Sequence, residues 1–155
     1  FRFSHLQEAL TFVPFGVAVD EYQHIVYANP ELTPKQRTAE WKKLEEKYMP
    51  CREYDDIDFF AKGGWWYHKI HIFLYPFYYI NYTLTTMGAM EFKKKMHEDK
   101  ESAWKDYLNL CKVGGSLGYK ETLKYANLSL PFEKGSVKRA VSYAEDILLS
   151  QIEKI

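Results

Sequence analysis

The chain has 155 residues, of which 46% are apolar and 17% aromatic, and its 21 basic residues balance its 21 acidic residues. This length suits one domain with a hydrophobic core, and the apolar content excludes a disordered chain. A neutral balance argues against a nucleic-acid partner, and the Lys93-Lys94-Lys95 run is typical of a solvated helix end. No apolar run reaches the roughly 18 residues that a membrane span needs, and we expect no signal peptide.

The first part of the chain shows the apolar spacing of helices. Residues 3–13 predict one helix, which we expect Pro14 and Gly16 to break or kink. The spacing resumes over residues 17–28 and should end at Asn29-Pro30.

A second helix has a well-defined predicted start. Thr33 can cap it, Pro34 suits its first position, and Gln36 completes a capping box. We expect it to run to about Tyr48, before Pro50. Its buried face should carry the large apolar residues Trp41, Leu44 and Tyr48, and its solvated face the charged residues Lys42, Lys43, Glu45, Glu46 and Lys47.

The remaining chain predicts further helices and no strand. Residues 50–63 are polar and indicate a long loop or a short helix inside a loop. Residues 65–97 predict a long helix with a possible kink at Pro76. A helix over residues 102–113, a short one over 117–126 and a final one capped by Ser136 follow. The residues expected to face inward from the first of these are Trp104, Tyr107, Leu108 and Cys111. The predicted fold class is therefore all-α and multi-helical, in a single domain over residues 1–155.

Neither the cysteines nor the serines form a recognisable catalytic motif. Cys51 and Cys111 show no metal-binding spacing, and we interpret them as reduced core or boundary thiols in a reducing compartment. Ser116 lies in Gly114-Gly115-Ser116, without the strand and spacing of a nucleophilic serine or of a phosphate-binding loop. Both Ser116 and Cys111 are expected to be structural.

Two pairs of potential metal ligands, each containing a histidine, suggest a metal site. Glu21 and His24, and likewise His68 and His71, are three residues apart and would share one helix face each. A carboxylate-bridged di-metal bundle uses Glu-x-x-His from two helices, and only one such pair is present. The competing interpretation is that these histidines form hydrogen bonds on helix faces.

The most informative stretch runs from His68 to Tyr82. On one helix, His71 and the tyrosines Tyr75, Tyr78, Tyr79 and Tyr82 would lie on one face. A buried tyrosine needs a partner for its hydroxyl, so a cluster of them beside histidines indicates a wall that meets a polar, extended ligand such as a peptide backbone. Tyrosine hydroxyls and histidines can also donate hydrogen bonds to a developing oxyanion. The alternative is an aromatic core stripe.

Motifs in order along nearly the whole chain carry a family resemblance. They are Val19-Asp20-Glu21-Tyr22-Gln23-His24, Tyr48-Met49-Pro50, Pro76-Phe77-Tyr78-Tyr79-Ile80-Asn81-Tyr82, Gly114-Gly115-Ser116 and Pro131-Phe132-Glu133-Lys134-Gly135. In this order they resemble the C-terminal region of oligoendopeptidase F, of the thimet-oligopeptidase-like zinc metallopeptidases. The resemblance implies a helical fold with a deep cleft for short peptides.

The same resemblance implies where the chemistry lies. Family members bind zinc through H-E-x-x-H and a glutamate on the next helix, and this chain has no H-E-x-x-H. We therefore expect the zinc-binding helices upstream of residue 1, zinc in the parent enzyme, no metal ligand in this chain, and no activity from the chain alone. The residues implied as catalytic are His71, Tyr78 and Tyr82, and those implied as substrate-binding are His68, Tyr75 and Tyr79.

Three hypotheses remain at this point. The chain is the cleft wall of a divided peptidase, a non-catalytic helical peptide-binding or interaction domain, or a small metalloprotein that uses Glu21, His24, His68 and His71. The first implies short peptide substrates, the missing zinc-binding part of the same protein as a partner, possible self-association of the isolated chain, and a cytoplasmic location. It implies no nucleic-acid or membrane partner.

Overall fold

The structure, a computed structural model, describes residues 2–152 of the chain. Within them it contains eight α-helices, one 3-10 helix and no strand, which confirms the all-α prediction. The α-helices are α1 (Arg2–Ala28), α2 (Pro34–Tyr48), α3 (Asp58–Ala61), α4 (Ile70–Leu74), α5 (Ile80–Glu98), α6 (Lys100–Val113), α7 (Tyr119–Tyr125) and α8 (Ser136–Ile152), and the 3-10 helix is Gly64–His68. None of the described helices is long and apolar enough to cross a membrane.

The chain divides into two compact units. The first, Glu8–Thr83, contains a core rich in aromatic rings and is called the aromatic unit below. The second unit consists of Phe1–Gln7 and Leu84–Ile155.

Helix α1 is continuous through Pro14 and Gly16, so a break at these residues was wrong, and the alternative, a kink, stays a prediction. Proline inside a helix costs about 3 kcal/mol, and burial of the neighbouring side chains Val13 and Phe15 offsets that cost. Gly16 serves a packing role instead. A Cβ atom built on it would lie 1.8 Å from Thr83 Oγ1, so only glycine allows α5 this close to α1.

Helix α2 begins as predicted but is buried differently. Thr33 and Gln36 form the capping box, and Trp41 and Leu44 are buried. Glu45, expected on the solvated face, is also buried, and its carboxylate accepts a hydrogen bond from the Tyr54 hydroxyl. Glu45 follows Trp41 by four residues, so the two side chains share a face of the helix. The prediction that Glu45 lies on the solvated face was based on its charge alone and is therefore wrong.

The predicted long helix over residues 65–97 is interrupted. The 3-10 helix, α4 and a turn over residues 75–79 come before α5 begins at Ile80. Pro76 has no N–H group and disfavours helical geometry at the preceding residue, and Tyr75 has φ −135° and ψ 67°. Phe77 has a left-handed φ of +58°, which no α-helix accommodates.

The second unit buries small and polar residues where large ones were expected. Trp104, Tyr107, Leu108 and Cys111 of α6 are exposed, so their predicted inward orientation is wrong. The buried residues of α6 are Ala103 and Asp106. Cys51 is exposed as well, so neither cysteine is the core or boundary thiol that we expected.

Candidate functional site

The turn between α4 and α5 is held by its own backbone and by a residue of α1. The N–H groups of Tyr75, Tyr78 and Tyr82 donate to the carbonyls of His71, Tyr75 and Tyr79 at 2.9, 3.2 and 3.1 Å. The N–H of Phe77 donates instead to Oε1 of Gln23, at 2.9 Å. Gln23 is fully buried, so this bond fixes the left-handed residue of the turn from inside the fold.

The Phe77 side chain provides a second attachment to α1. Its ring lies 4.8 Å from that of His24 and 5.0 Å from that of Tyr27, measured between ring centroids. The strained backbone at Phe77 is therefore restrained on both its main-chain and side-chain sides. Side chains on either side of Phe77 are consequently held in defined positions.

This turn gathers five rings, called the His/Tyr cluster below. The His71 ring lies 5.9, 6.4, 5.0 and 5.8 Å from the rings of four tyrosines, which in the same order are Tyr75, Tyr78, Tyr79 and Tyr82. The five residues predicted to lie together are thus together. They meet across a turn and two helices, and not along the face of one helix.

The tyrosines of the His/Tyr cluster differ in exposure. Tyr79 is buried, and burial raises the pKa of its phenol. Tyr78 and Tyr82 are 47% and 39% exposed, and Tyr75 is also exposed, so these three can meet a ligand. A hydrogen bond between the hydroxyls of Tyr82 and Tyr78 raises the pKa of Tyr82. Tyr79 and Tyr82 are therefore neutral phenols, able to donate a proton in a hydrogen bond, at neutral pH.

His71 lies at the centre of the cluster with an unused ring nitrogen. Its ring is half-buried, and its Nδ1 atom is buried without a hydrogen-bond partner. A buried polar atom without a partner is uncommon and costs about 1–3 kcal/mol. Such an atom marks a position where a ligand or a water would complete the structure.

His68 lies apart from the His/Tyr cluster. Its exposed ring contacts Phe60 at 4.8 Å and Trp65 at 5.5 Å, and its described ring contacts do not include the four tyrosines. The two histidines were expected three residues apart on one helix. The 3-10 helix ends between them, so they point to different neighbours.

The alternative metal site does not assemble. The Glu21 carboxylate accepts hydrogen bonds from Lys47 Nζ at 2.8 Å and from the Tyr48 hydroxyl, and these bonds lower its pKa. His24 Nε2 lies 3.5 Å from Asp20 Oδ2. Over the part of the chain that the structure describes, no group of three His, Cys, Asp or Glu side chains is placed to hold a metal ion.

Two residues that shape the site, Gln23 and Phe77, were not predicted as site residues. One signal was available for Gln23, which is a polar residue between Tyr22 and the apolar pair Ile25-Val26 of α1. A fully buried polar side chain in such a position needs a specific partner. No local signal identified that partner, because Phe77 lies 54 residues further along the chain.

Solved structures resemble this chain over nearly its whole length. A protein described as an oligoendopeptidase F matches with a TM-score of 0.90 and 48% identity, over 96% of this chain and 26% of its own. PZ peptidase A, solved with an inhibitor, matches with a TM-score of 0.89 and 47% identity, over 96% and 26%. An oligoendopeptidase F from Bacillus anthracis str. Ames matches with a TM-score of 0.75 and 41% identity, over 96% and 23%.

The chain thus spans about a quarter of the length of these structures. No model of a protein family and no curated protein matches it.

Proposed function

The chain belongs to the oligoendopeptidase F family, a family of peptidases, and we propose that it forms the substrate-binding wall of such a peptidase. In this proposal the whole enzyme hydrolyses peptide bonds in short peptides. This chain supplies the His/Tyr cluster, which binds the substrate and stabilises the tetrahedral intermediate.

The observation that supports this role most directly is the geometry of the His/Tyr cluster. Three of its tyrosines are exposed around a histidine with an unpartnered buried nitrogen. A purely structural aromatic core would bury these rings and satisfy their polar atoms. The attachment of the turn to Gln23 keeps the donors in place before a substrate arrives, which is what transition-state stabilisation requires.

The chemical role follows from amide hydrolysis. Addition of water to the carbonyl carbon places a negative charge on the carbonyl oxygen, and hydrogen-bond donors aimed at that oxygen lower the barrier. We assign Tyr78 and Tyr82 as these donors, because both are exposed, and the oxyanion takes the place of the hydrogen bond between their hydroxyls. His71 contacts both rings, and its imidazole donates a further hydrogen bond to the same oxygen. Tyr75 contacts the peptide and His68 binds it further away. Tyr79, which was predicted to bind substrate, is buried and packs against His71 instead.

Family membership implies zinc in the whole peptidase, where it would polarise the carbonyl and activate water. The donors in the described part of this chain do not fit a zinc site. We propose that the metal is bound by the part of the enzyme outside this chain. The chain alone is then expected to cleave no peptide.

The test is steady-state kinetics of the intact enzyme that contains this chain. Tyr78→Phe and Tyr82→Phe remove one hydroxyl each and keep the ring. We expect each variant to lower kcat by about 10²–10³, with little change in KM, because each hydrogen bond forms mainly in the transition state. Tyr125→Phe changes an exposed tyrosine of the second unit and should leave both constants unchanged.

The outcomes separate binding from catalysis. A rise in KM alone, in both variants, would assign the tyrosines to ground-state binding and reject the catalytic role. Hydrolysis of a quenched fluorogenic peptide, measured with zinc content on the chain alone, adds a second criterion. Cleavage by the 155-residue chain with one bound metal would overturn the proposal.

A further inference from the structure

Two cationic side chains of the aromatic unit lie over the same pair of aromatic rings. The Arg52 guanidinium carbon is 5.5 Å from the centre of the Phe15 ring and 4.5 Å from that of Trp65. Lys69 Nζ is 4.9 and 5.6 Å from the same two centres. Each ring attracts a cation, but the two cations repel each other across the rings.

No carboxylate of the described chain neutralises this pair. None of the ion pairs among residues 2–152 includes Arg52 or Lys69. Among the described hydrogen bonds, the one from Arg52 goes to the sulfur of Met49, at 3.5 Å, and Glu45 Oε1 accepts from the Tyr54 hydroxyl. Both cations are half-buried, and burial together with the charge of Arg52 lowers the pKa of Lys69. Two like charges held close together at half-buried positions form a site that favours an anion.

An apolar groove opens beside Arg52. It has a volume of about 560 Å³, and its walls include Phe12, Phe15, Met49 and Trp65. Glu8 is its only acidic lining residue and forms none of the described ion pairs. The groove therefore offers apolar walls and, at Arg52, a positive charge.

We propose that Arg52 and Lys69 bind the C-terminal carboxylate of a peptide whose last side chain occupies this groove. The proposal rests on the proposed peptidase function, because it takes peptides as the ligands. A C-terminal residue carries an apolar side chain and a carboxylate on one carbon atom, so it satisfies the groove and both cations together. An internal acidic residue has no apolar group at that position.

The anion site adjoins the His/Tyr cluster through one ring. Lys69 Nζ lies 5.0 Å from the centre of the Tyr79 ring, which in turn lies 5.0 Å from the His71 ring. A carboxylate on Lys69 would thus lie one aromatic ring away from the proposed reaction site. The site therefore favours short peptides, since their C terminus must lie close to the bond that is cleaved.

The test is calorimetric binding to the intact enzyme that contains this chain. The probes are N-acetylphenylalanine and its carboxamide, which differ only in having a carboxylate or a neutral carboxamide and contain no peptide bond between two residues. We expect the acid to bind at least about tenfold more tightly, as a charge-assisted hydrogen bond predicts. In the double variant Arg52→Gln, Lys69→Met the two probes should bind equally, and Met keeps the apolar stem over the rings.

Control variants separate this effect from a general loss of charge or of fold. Lys62→Met removes an exposed lysine of the same unit that pairs with Asp58, and it should keep the preference for the acid. Lys69→Arg retains a cation at this position and should also keep the preference for the acid. Thermal unfolding of each variant verifies that the fold is retained.

Three results would overturn the proposal. Equal binding of acid and carboxamide to the unchanged enzyme would show that the cations are neutralised by another part of it. A preference that survives in the double variant would place the anion elsewhere. A C-terminally amidated peptide with an internal glutamate that binds as tightly as N-acetylphenylalanine would assign the site to acidic side chains.

This test is independent of the proposed catalytic role, because the probes are bound and not cleaved. If Tyr78→Phe and Tyr82→Phe both leave kcat unchanged while the preference for the acid holds, the catalytic assignment fails and the anion site stands. The reverse result rejects the anion site alone.

Discussion

The two units treat their buried polar groups in opposite ways. In the second unit, the buried Asp106 carboxylate accepts hydrogen bonds from Lys95 Nζ at 2.6 Å and from Asn127 Nδ2 at 2.7 Å. In the aromatic unit, polar atoms are buried without a hydrogen-bond partner in the described structure, and they belong to Tyr22, Trp41, Glu45, His71 and Thr83. Every such atom found among the described residues lies in this unit.

In the second unit the buried polar groups form hydrogen bonds with other residues of the unit, whereas in the aromatic unit some buried polar atoms have no hydrogen-bond partner among the described residues. Buried polar groups normally pair, so a concentration of unpaired ones indicates a strained or functional region. The unpaired cations Arg52 and Lys69 and the exposed tyrosines of the His/Tyr cluster lie in the same unit. The aromatic unit is therefore the one in which we expect substitutions to alter function more than stability.

The largest expected effect comes from Gln23, the positioning residue of the turn. Gln23→Leu leaves the Phe77 N–H without its acceptor and frees the left-handed backbone there. We expect the free energy of unfolding to fall by about 2–3 kcal/mol. In the intact enzyme, kcat should fall at least about tenfold with a smaller change in KM, because the donors lose their fixed positions.

The conservative variant Gln23→Glu keeps an acceptor oxygen and should recover most of kcat, as measured with the same peptide substrate. A stability loss without any change in kcat would show that the turn geometry does not matter for catalysis. The unpaired polar atoms of the aromatic unit would then not indicate a functional region.

Local rules predicted those parts of the fold that depend on neighbouring residues. The capping box of Thr33 and Gln36 needs only four consecutive residues, and its prediction was confirmed. The final helix was predicted to be capped by Ser136. In the structure Ser136 is the first residue of α8 itself, and its hydroxyl donates to the carbonyl of Pro131. The sequence spacing also predicted that His71 lies beside the four tyrosines, although the single helix assumed in that prediction is interrupted.

Predictions failed where distant residues decide the outcome. Pro14 lies within a continuous helix because packing on both sides of it outweighs its local cost. Asp106 is buried because Lys95 and Asn127 meet it from other parts of the second unit. Arg52 and Lys69 come close together over the rings of Phe15 and Trp65, and no spacing rule relates these rings to the two cations.

The second prediction concerns Asp106, whose interactions are complete. Asp106→Asn retains the shape but loses the charge-assisted bond to Lys95, and we expect it to lower the free energy of unfolding by about 1–2 kcal/mol at pH 7. Hydrogen bonds from Lys95, and then from Asn127, hold the pKa of Asp106 below its usual range. Its contribution is therefore present above the unfolded-state pKa of about 3.9 and is lost as the pH falls through the folded-state value.

Chemical denaturation of both proteins between pH 7 and pH 2 measures this dependence. The stability difference between the two should narrow below about pH 4. Glu21 also has a lowered pKa and titrates in both proteins, so it cancels in the comparison. A constant difference over the whole range would show that the bond to Lys95 does not stabilise the fold.

The smallest expected effect is the most informative one for the comparison. The Tyr22 hydroxyl is buried without a partner, and burial raises its pKa, so Tyr22→Phe removes a neutral group that forms no described bond. Its ring contacts with Trp41 at 5.4 Å and Trp66 at 5.3 Å are retained. We expect the free energy of unfolding to change by less than about 0.5 kcal/mol, in either direction. A loss above about 1 kcal/mol in urea denaturation would mean that a buried water satisfies this hydroxyl. The two units would then differ in whether water or protein groups pair with their buried polar atoms, and this difference would not indicate a functional region.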